Sequence, residues 1–482
     1  MNGKHNWEFT NSNLNKSRVF QHCIAIADPP LHLSPFSQCF VTLARPNLKQ
    51  NKIKPSPFPI LSMKPWNFTP PPTSELGDRE VPLHGTHLQG KRIALLITGS
   101  IAALKAPLLA RELRREGAEV TAFTSTEALR YTTLDSLEWS TTHQVITKLT
   151  AAAEHLSDEN PFDAYVVAPA TYNTINKMRY GIADGAIVST LASALGKLEQ
   201  GQTKILIVPT MHGSLHNRIL SESLQQLQHW GVEIMPPKEA YGKHNLPDLR
   251  SIVTTVSRLV SSSPLKGIPI LVTGGPTPVP IDNIRRITNR FRGTLSLKIT
   301  EELYLRGAEV QLILGTGGDT PPPYFPCEIA QTYEHYAQLV LEHLQQYPYV
   351  FGIFSAAVAD YQPERILPGK TPSGGALHSL KLVPTGKVIE RVRTEFPDLY
   401  MVTFKYQEDV THKELIDIAQ QKLAQGYNAV VANRGEETGA QGEQIAYWVS
   451  KNQTAEKMMG KEGIAKAIAN HLEACFSTTP QV

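Results

Sequence analysis

The chain has 482 residues, and at roughly 100 to 200 residues per domain this excludes a single small module and sets two or three folded units. Lys and Arg number 47 against 44 Asp and Glu, a formal charge of +3, which leaves no basic footprint for a nucleic-acid partner. With 41% hydrophobic and 19% charged residues there is enough apolar material for buried cores and too little charge for a disordered chain. The longest apolar runs, such as residues 205–208 and 165–168, are strand-sized and far below the ~18 residues that span a bilayer, so no membrane partner is expected. Cys23, Cys39, Cys327 and Cys475 are widely spaced and form no CxxC pair; neither a zinc knuckle nor a disulfide scaffold is indicated, and a reducing cytoplasm is the expected location.

Residues 1–88 show no sustained periodicity and carry Pro-rich stretches at 55–60 and 69–72, so a poorly ordered N-terminal extension is expected. Up to Ser62 it holds Lys4, Lys16, Arg18, Arg45, Lys49, Lys52 and Lys54 against Glu8 and Asp28. Two readings stay open: an organelle transit segment, or a passive stretch ahead of a start at Met63. Nothing in it forms an apolar h-region, so secretion is not expected.

From Lys91 onward, strand-length apolar runs alternate with amphipathic stretches, the pattern of an α/β fold with a parallel sheet. Strands are predicted at 92–98, 119–124, 164–168, 204–209 and 232–235. Between the first two, Ile101, Leu104, Leu108, Leu109 and Leu113 lie at helical spacing with Gly117 as the stop, and Pro107 is expected to kink that helix early. The same grammar restarts after Ser261, Ser262, Ser263 and Pro264, a linker composition. Further strands are predicted at 269–273, 309–314, 350–355, 400–404, 429–432 and 445–449. The expected architecture is therefore α/β, two successive doubly wound, Rossmann-like domains at 89–260 and 261–482 after the extension at 1–88.

Thr98, Gly99 and Ser100 end the first predicted strand and lead directly into a helix, presenting backbone N–H groups at a positive helix end, where a phosphate can be held. The GxGxxG fingerprint is absent, and the second strand ends in AFTST (122–126) with no acidic residue. That disfavours a dinucleotide and leaves a mononucleotide.

The run HLSDENPFDAYVVAPAT (155–171), followed by Asn173 and by GIADG from Gly181, resembles the homo-oligomeric flavin-containing cysteine decarboxylase family. His155 and Asp163 keep the eight-residue interval that precedes that family's APAT strand. Residues 91–250 as a whole, with GSIAALK at 99–105 and Pro107, resemble its phosphopantothenoylcysteine decarboxylase branch. The resemblance implies FMN as cofactor, held by Gly99, Ser100, Thr126, Thr171 and Asn173. It implies a reaction in which the substrate's thiol is oxidised to a thioaldehyde so that the carboxylate can leave. His155 would be the acid/base or orienting group, a role suited to an imidazole that titrates near neutrality. Two positions depart from the pattern. The usual PxMN motif reads PTMH (209–212), which puts His212 where a substrate-binding amide is expected. The flap, KEAYGKHNLPDLR (238–250), lacks the family's cysteine, and Tyr241, Lys243 and His244 remain as candidates for its proton-donating role.

In the second half, VTGGPTPVPIDNIRRITNRFRG (272–293) resembles the opening of phosphopantothenate-cysteine ligase domains, with Asp282, Arg285 and Asn289 on the motif positions. AAVADY (356–361) and Gly369-Lys370 keep the ten-residue interval from Asp360 to Lys370; KLVPTGKVI (381–389), with Lys387, then Phe404 and VVAN (430–433) complete the series. The resemblance spans 267–449. It implies CTP as co-substrate, with Mg2+, and an acyl cytidylate formed as pyrophosphate leaves. Asn289 and Lys370 would be catalytic, while Asp282, Arg285, Asp360, Lys387 and Phe404, with His212 of the first half, would bind substrates. Lys370, in a Gly- and Pro-rich loop, can reach phosphates as a mobile point charge. The usual Ser-rich segment instead reads NRFRG (289–293), and a glycine expected soon after is Ser296.

Together these resemblances imply a bifunctional enzyme of coenzyme A biosynthesis. It would ligate cysteine to 4'-phosphopantothenate and then decarboxylate the product to 4'-phosphopantetheine. The homo-oligomer implied has flavin-domain trimers and ligase-domain dimers. The alternative is an active ligase whose flavin domain is oxidative-only or non-catalytic, serving as a regulatory or assembly module.

Overall fold

The computed structural model describes residues 66–156, 160–371, 374, 379–451 and 453–477. The basic segment and the candidate start at Met63 lie outside them. Thr73–Val482 form one compact unit, built on two parallel sheets.

In the first sheet β1 (Arg92–Ile97) reads RIALLI and is buried beyond its first residue, as a strand covered by helices on both faces must be. It is followed by α1 (Ala106–Arg115), β2 (Glu119–Thr124), α2 (Leu134–Thr141), β3 (Ala164–Ala170), α3 (Tyr172–Arg179), α4 (Ala186–Glu199), β4 (Lys204–Pro209), α5 (Arg218–His229), β5 (Glu233–Ile234) and α6 (Leu249–Val260). The strands pair in the order β2-β1-β3-β4-β5, all parallel. Alternate residues serve opposite faces: Ile93, Leu95 and Ile97 pack with Leu109, Leu113, Leu137, Ile252 and Val256, whereas Ala94 and Leu96 pack with Ile175, Met178, Leu191, Leu220 and Leu227. The expected kink at Pro107 takes another form. Ile101–Lys105 make a 3-10 turn, and Pro107 stands in the first turn of α1, where its missing N–H is not needed.

The second sheet comprises β6 (Pro269–Gly274), α7 (Thr294–Leu305), β7 (Glu309–Gly315), β8 (Cys327–Ala330), α8 (Tyr333–Gln346), β9 (Phe351–Phe354), α9 (Val388–Glu395), β10 (Tyr400–Gln407), α10 (His412–Ala424), β11 (Ala429–Arg434), β12 (Ile445–Ser450), β13 (Glu456–Met459) and α11 (Lys461–Ser477). The order is β8-β7-β6-β9-β10-β11-β12-β13, parallel as far as β11 and antiparallel at β12 and β13. The first six strands thus have the doubly wound order 3-2-1-4-5-6. Two of these strands, β8 and β13, were not anticipated from the sequence. They lie at the sheet's edges, and CEIA and EKMM carry half or fewer apolar residues facing the core. Both halves are doubly wound α/β domains.

The end of the 1–88 segment belongs to this body. Leu88 is fully buried in the first core, and the His84 and Leu88 amides donate to the carbonyls of Arg115 and Glu116. Between the halves, the wholly buried carboxylate of Glu116 accepts from His87 Nδ1 at 3.0 Å and from Arg250 Nη1. His87 Nε2 meets Glu302 at 3.2 Å, and Arg250 Nη2 meets Glu301 at 3.0 Å. Glu302 also pairs with Arg306 at 2.7 Å. Gly85 passes so close that a Cβ there would lie 2.2 Å from Glu116 Oε2.

Burial alone would push the His87 imidazole down, but the hydrogen bonds it donates to Glu116 and Glu302, with their negative charges, outweigh it and raise it to about 9. A raised folded-state value means that the stabilisation is complete below the ordinary 6.5 and disappears as pH rises through about 9. Thermal unfolding should therefore show a loss on the order of 2 kcal/mol between about pH 7 and about pH 10. His87→Gln should flatten that limb; an unchanged alkaline limb in the variant would assign it to another group.

Candidate functional site

In each sheet the strand order reverses beside the first strand, and ligands of open α/β sheets sit outside the carboxyl ends at such a point. In the first domain this lies between β1 and β3. The buried Thr98 hydroxyl donates to Pro169 O at 2.7 Å and accepts the Thr171 N–H at 3.1 Å, tying the two strand ends together. Ser100 caps the 3-10 turn, accepting from Ala102 N. Gly99 is required sterically, since a Cβ would lie 2.5 Å from that of Glu127. Thr171 caps α3 by accepting from Thr174 N.

Thr126 and Asn173 meet in a cavity of about 500 Å³, which Gly99, Ser100 and Thr171 do not line. Its wall also includes Thr147–Leu149, the Lys177–Asp184 ion pair and the start of α4. That helix begins at Gly185 with no side-chain cap, so its first N–H groups remain available to an anion. Sequence reasoning singled out Thr126, Asn173 and the GIADG run but not residues 147–149 or the start of α4 as part of one wall; the uncapped glycine start before a 14-residue helix was a readable signal.

His155 does not line this cavity. The carbonyl of its neighbour Leu156 accepts from Lys197, and the turns that carry both residues start at Thr150, next to the lining residue Leu149. Asp163 marks the amino end of β3: its carboxylate accepts from Arg92 N and Lys91 Nζ at 2.9 and 3.0 Å. His155 Nδ1 is buried and has no hydrogen-bond partner among the described residues.

His212 stands beyond β4, in the short strand Met211–His212. Its Nδ1 accepts the Ser214 N–H at 3.1 Å, which leaves the proton of a neutral ring on Nε2. The flap is a hairpin of Lys238–Ala240 and Lys243–Asn245 docked on Met211–His212. Tyr241 and Gly242 turn it with φ of 54° and 65°, the geometry of a type I′ turn. Tyr241 at its tip is 96% exposed.

In the second domain the reversal lies between β6 and β9. Ala357 N donates to Gly275 O at 2.9 Å, and the buried Thr277 accepts from Ala359 N at 2.9 Å. Asn289 Nδ2 donates to Ala357 O at 2.8 Å. Asp282 is 3% exposed and accepts from the Ile284, Arg285 and Thr371 N–H groups and from the Arg285 guanidinium at 2.7 to 3.1 Å. The Arg285 and Ile284 N–H bonds lead the causes that hold its carboxyl far below the usual range. This fastens the loop carrying Lys370, whose Gly369 carbonyl also accepts from Asn283 N. Lys370 itself is exposed. Asp360 forms an ion pair with Lys387 at 2.5 Å, and Phe404 is partly buried on β10. The structure thus brings Asn289, Asp282, Arg285, Lys370, Asp360 and Lys387 to one carboxyl edge.

The NRFRG segment packs against that edge. Arg292 pairs with Asp319 at 2.6 Å, Arg290 with Glu408 at 3.7 Å, and the Phe291 ring meets Tyr406 edge-on at 5.7 Å. Gly293, with φ 79°, starts α7 without a side-chain cap. Three glycine turns touch there. A Cβ on Gly293 would lie 2.8 Å from Gly275 N, and one on Gly315 only 1.7 Å from Pro276 O.

Residues 83–261 match the family model described as Flavoprotein, and residues 265–475 match that of the DNA/pantothenate metabolism flavoprotein C-terminal domain. The chain is 35% identical to the coenzyme A biosynthesis bifunctional protein CoaBC of Thermococcus kodakarensis, over 72% of this chain and 86% of that one. It is 30% identical to the protein of the same name from Methanocaldococcus jannaschii, over 72% and 84%. A solved structure, the DNA/pantothenate metabolism flavoprotein from Streptococcus pneumoniae, aligns with 29% identity and a TM-score of 0.40, covering 43% of this chain and all of that one. The two family models define a flavoprotein domain joined to a pantothenate-metabolism domain. The chain belongs to the CoaBC family of coenzyme A biosynthesis bifunctional proteins, enzymes that act on phosphopantothenate by ligation and decarboxylation. Among the described residues no helix is long and apolar enough to cross a membrane.

Gly315→Ala should disable the second site by forcing a side chain into a backbone carbonyl, at a cost of roughly 1–3 kcal/mol or more. Loss of ligase turnover with an unchanged flavin spectrum would confirm a local effect; full turnover would show that the three glycine turns need not touch.

Proposed function

We propose that the first domain holds FMN at the β1/β3 reversal and the second CTP at the β6/β9 reversal, joining cysteine to 4'-phosphopantothenate through an acyl cytidylate and then decarboxylating the product to 4'-phosphopantetheine. The observation that carries the ligase half is the fastening of the Lys370 loop to Asp282 and Arg285, beside an Asn289 already oriented by Ala357. Lys370 supplies mobile positive charge as phosphate bonds break, Asn289 donates to the acyl phosphate, and the uncapped α7 start receives phosphate oxygens. Among the described residues no cluster of His, Cys, Asp and Glu could hold a metal, so Mg2+ would enter on the nucleotide's own phosphates.

The residues around the first reversal fit a flavin mononucleotide. The cavity of about 500 Å³ is of ordinary ligand size, and the start of α4 suits a phosphate. FMN supplies oxidation and re-reduction when bound. In this chain Asn173 and Thr126 line the cavity, His212 offers an Nε2–H to a carboxylate, and the exposed Tyr241 can carry a proton to the substrate. His155 does not line the cavity that Asn173 lines in one chain, and in this reading a second copy completes the site. The exposed apolar row of Ile101, Leu104 and Leu108, at 65, 51 and 57%, supports burial in a flavin-domain trimer, with the ligase domains pairing as dimers. The cytoplasm is the compartment proposed.

Mass spectrometry of the product from phosphopantothenate, cysteine and CTP tests the reading. 4'-Phosphopantetheine is expected. An accumulating enethiol would instead favour an oxidative-only flavin domain, the alternative that the cysteine-free flap supports. Lys370→Gln and Asn289→Asp should each lower overall synthesis roughly a hundredfold or more. Lys387→Gln should do less, since Lys387 faces Asp360; unaltered CTP-dependent pyrophosphate release in Lys370→Gln would move the nucleotide to another loop.

A further inference from the structure

The flap hairpin is held to the body by few contacts. Met211 and His212 pair with His244 and Lys243, Gly213 N donates to Gly242 O at 2.9 Å, and Leu246 anchors its far end in the core. To these is added a side-chain bond between two imidazoles, His216 Nδ1 and His244 Nε2, 2.8 Å apart. His216 follows the 3-10 turn Gly213–Leu215, so this bond joins hairpin to body. The His244 ring is mostly buried, at 12% exposure, and its Nδ1 lies 3.6 Å from Glu239 Oε1. That separation is too long for a hydrogen bond, and Nδ1 has no other partner among the described residues.

We propose that the His216 and His244 imidazoles form a proton-operated latch for the hairpin at 238–245, closed while their facing nitrogens share one proton and released when both rings are protonated. The proposal rests on the reading that this hairpin overhangs the ligand edge of the flavin domain. A nitrogen-to-nitrogen hydrogen bond needs one N–H and one lone pair. With His244 Nε2 donating, a first proton has a place on His244 Nδ1, toward the Glu239 carboxylate, and the latch survives as a charged donor facing a neutral acceptor. A second proton has only His216 Nδ1, the accepting atom itself. Taking it up breaks the bond and sets two cations against each other in half-exposed surroundings.

The other charged and titratable groups nearby do not offset that repulsion. His212, on the adjoining strand, has Nδ1 engaged by Ser214. Lys243, next along the hairpin, adds a further positive charge. On α5, Arg218 is paired with Glu222 at 2.6 Å. Glu239 is therefore the carboxylate facing the pair, and it favours the first proton rather than the second.

The test is hydrogen exchange of residues 236–248 in the full chain, expressed as protection relative to the free peptide. Wild type should lose at least about tenfold in protection between about pH 8 and about pH 4.5, the lower value chosen because the first proton opposes the second. His244→Gln should remove that dependence, because an amide can turn to accept from a protonated His216 as readily as it donates to a neutral one. His216→Ala should give the low protection at both pH values. Nitrogen NMR of the two rings supplies a readout in the unmutated protein: His216 Nδ1 should take its proton in step with the loss of protection. Protection that does not change in wild type, an undiminished dependence in His244→Gln, or a doubly protonated pair under a fully protected hairpin would each overturn the proposal. Exchange reads the hairpin and not turnover, so the result stands whether or not the domain completes decarboxylation.

Discussion

Where two parallel strands diverge, the backbone groups at their carboxyl ends lose their ladder partners and must be satisfied by something else. In the first domain the Thr98 hydroxyl does this, serving Pro169 O and Thr171 N at once. In the second, Thr277 and Ala357 do the same for the turns after β6 and β9. The rest of each site hangs on these ties. They fix the start of α3 beside Asn173 in one half, and in the other the carbonyl that orients Asn289. A hydroxyl suits the place because it donates and accepts in one short side chain; valine, its isostere, would leave both groups unmet at about 1–3 kcal/mol each.

The two sites are also joined mechanically. Glu116 follows the last turn of α1, which starts just past the Gly99 turn, and Glu301 and Glu302 stand in the last turns of α7, which starts at Gly293. A wholly buried carboxylate is tolerated only with full pairing, and Glu116 obtains it from His87 and Arg250, each of which also bonds to α7. The charge that stabilises the end of one helix is thus shared with the end of the other. Deleting either cation would loosen a carboxylate in each domain, although Glu302 keeps Arg306 and Glu301 keeps Lys298 and Tyr324, so the clasp resists opening more strongly than any of its pairs would alone.

Most of the fold was legible because both halves bury their strands on two faces, and RIALLI, KILIVP and AVVANR read as strands without tertiary help. What was hidden is what depends on neighbours. The edge strands β8 and β13 gain their pairing from the sheet rather than from composition. His87 reads as one more polar residue in an extension until Glu116 and Glu302 close around it. The candidate ligase residues were readable as a set because they are grouped along the sequence by the loops that carry them to one edge. The cavity wall of the flavin domain was readable only in pieces, Thr126, Asn173 and the GIADG run, because residues 124–126, 147–149 and 184–189 come from three separate stretches of the chain. His155 shows the converse: its interval to Asp163 is a property of the chain, whereas a place in the cavity wall is not, and the wall does not include it.

The NRFRG segment shows how a departure in sequence can be absorbed in structure. Two arginines beside an uncapped helix start would be expected to deepen a positive site considerably. Instead Arg292 is matched by Asp319, which also accepts from the Thr294 hydroxyl, and Arg290 is matched by Glu408 on the strand end that carries Tyr406. The guanidinium groups therefore act less as free charge than as braces, holding the loop before α7 against β7 on one side and β10 on the other. A small Ser-rich turn would leave that gap to solvent; here Phe291 fills it against Tyr406. In the proposed reading the phosphate is left to the backbone of Gly293 and the first turn of α7, whose N–H groups do not depend on which side chains flank them, so the substitution would be compatible with the proposed chemistry.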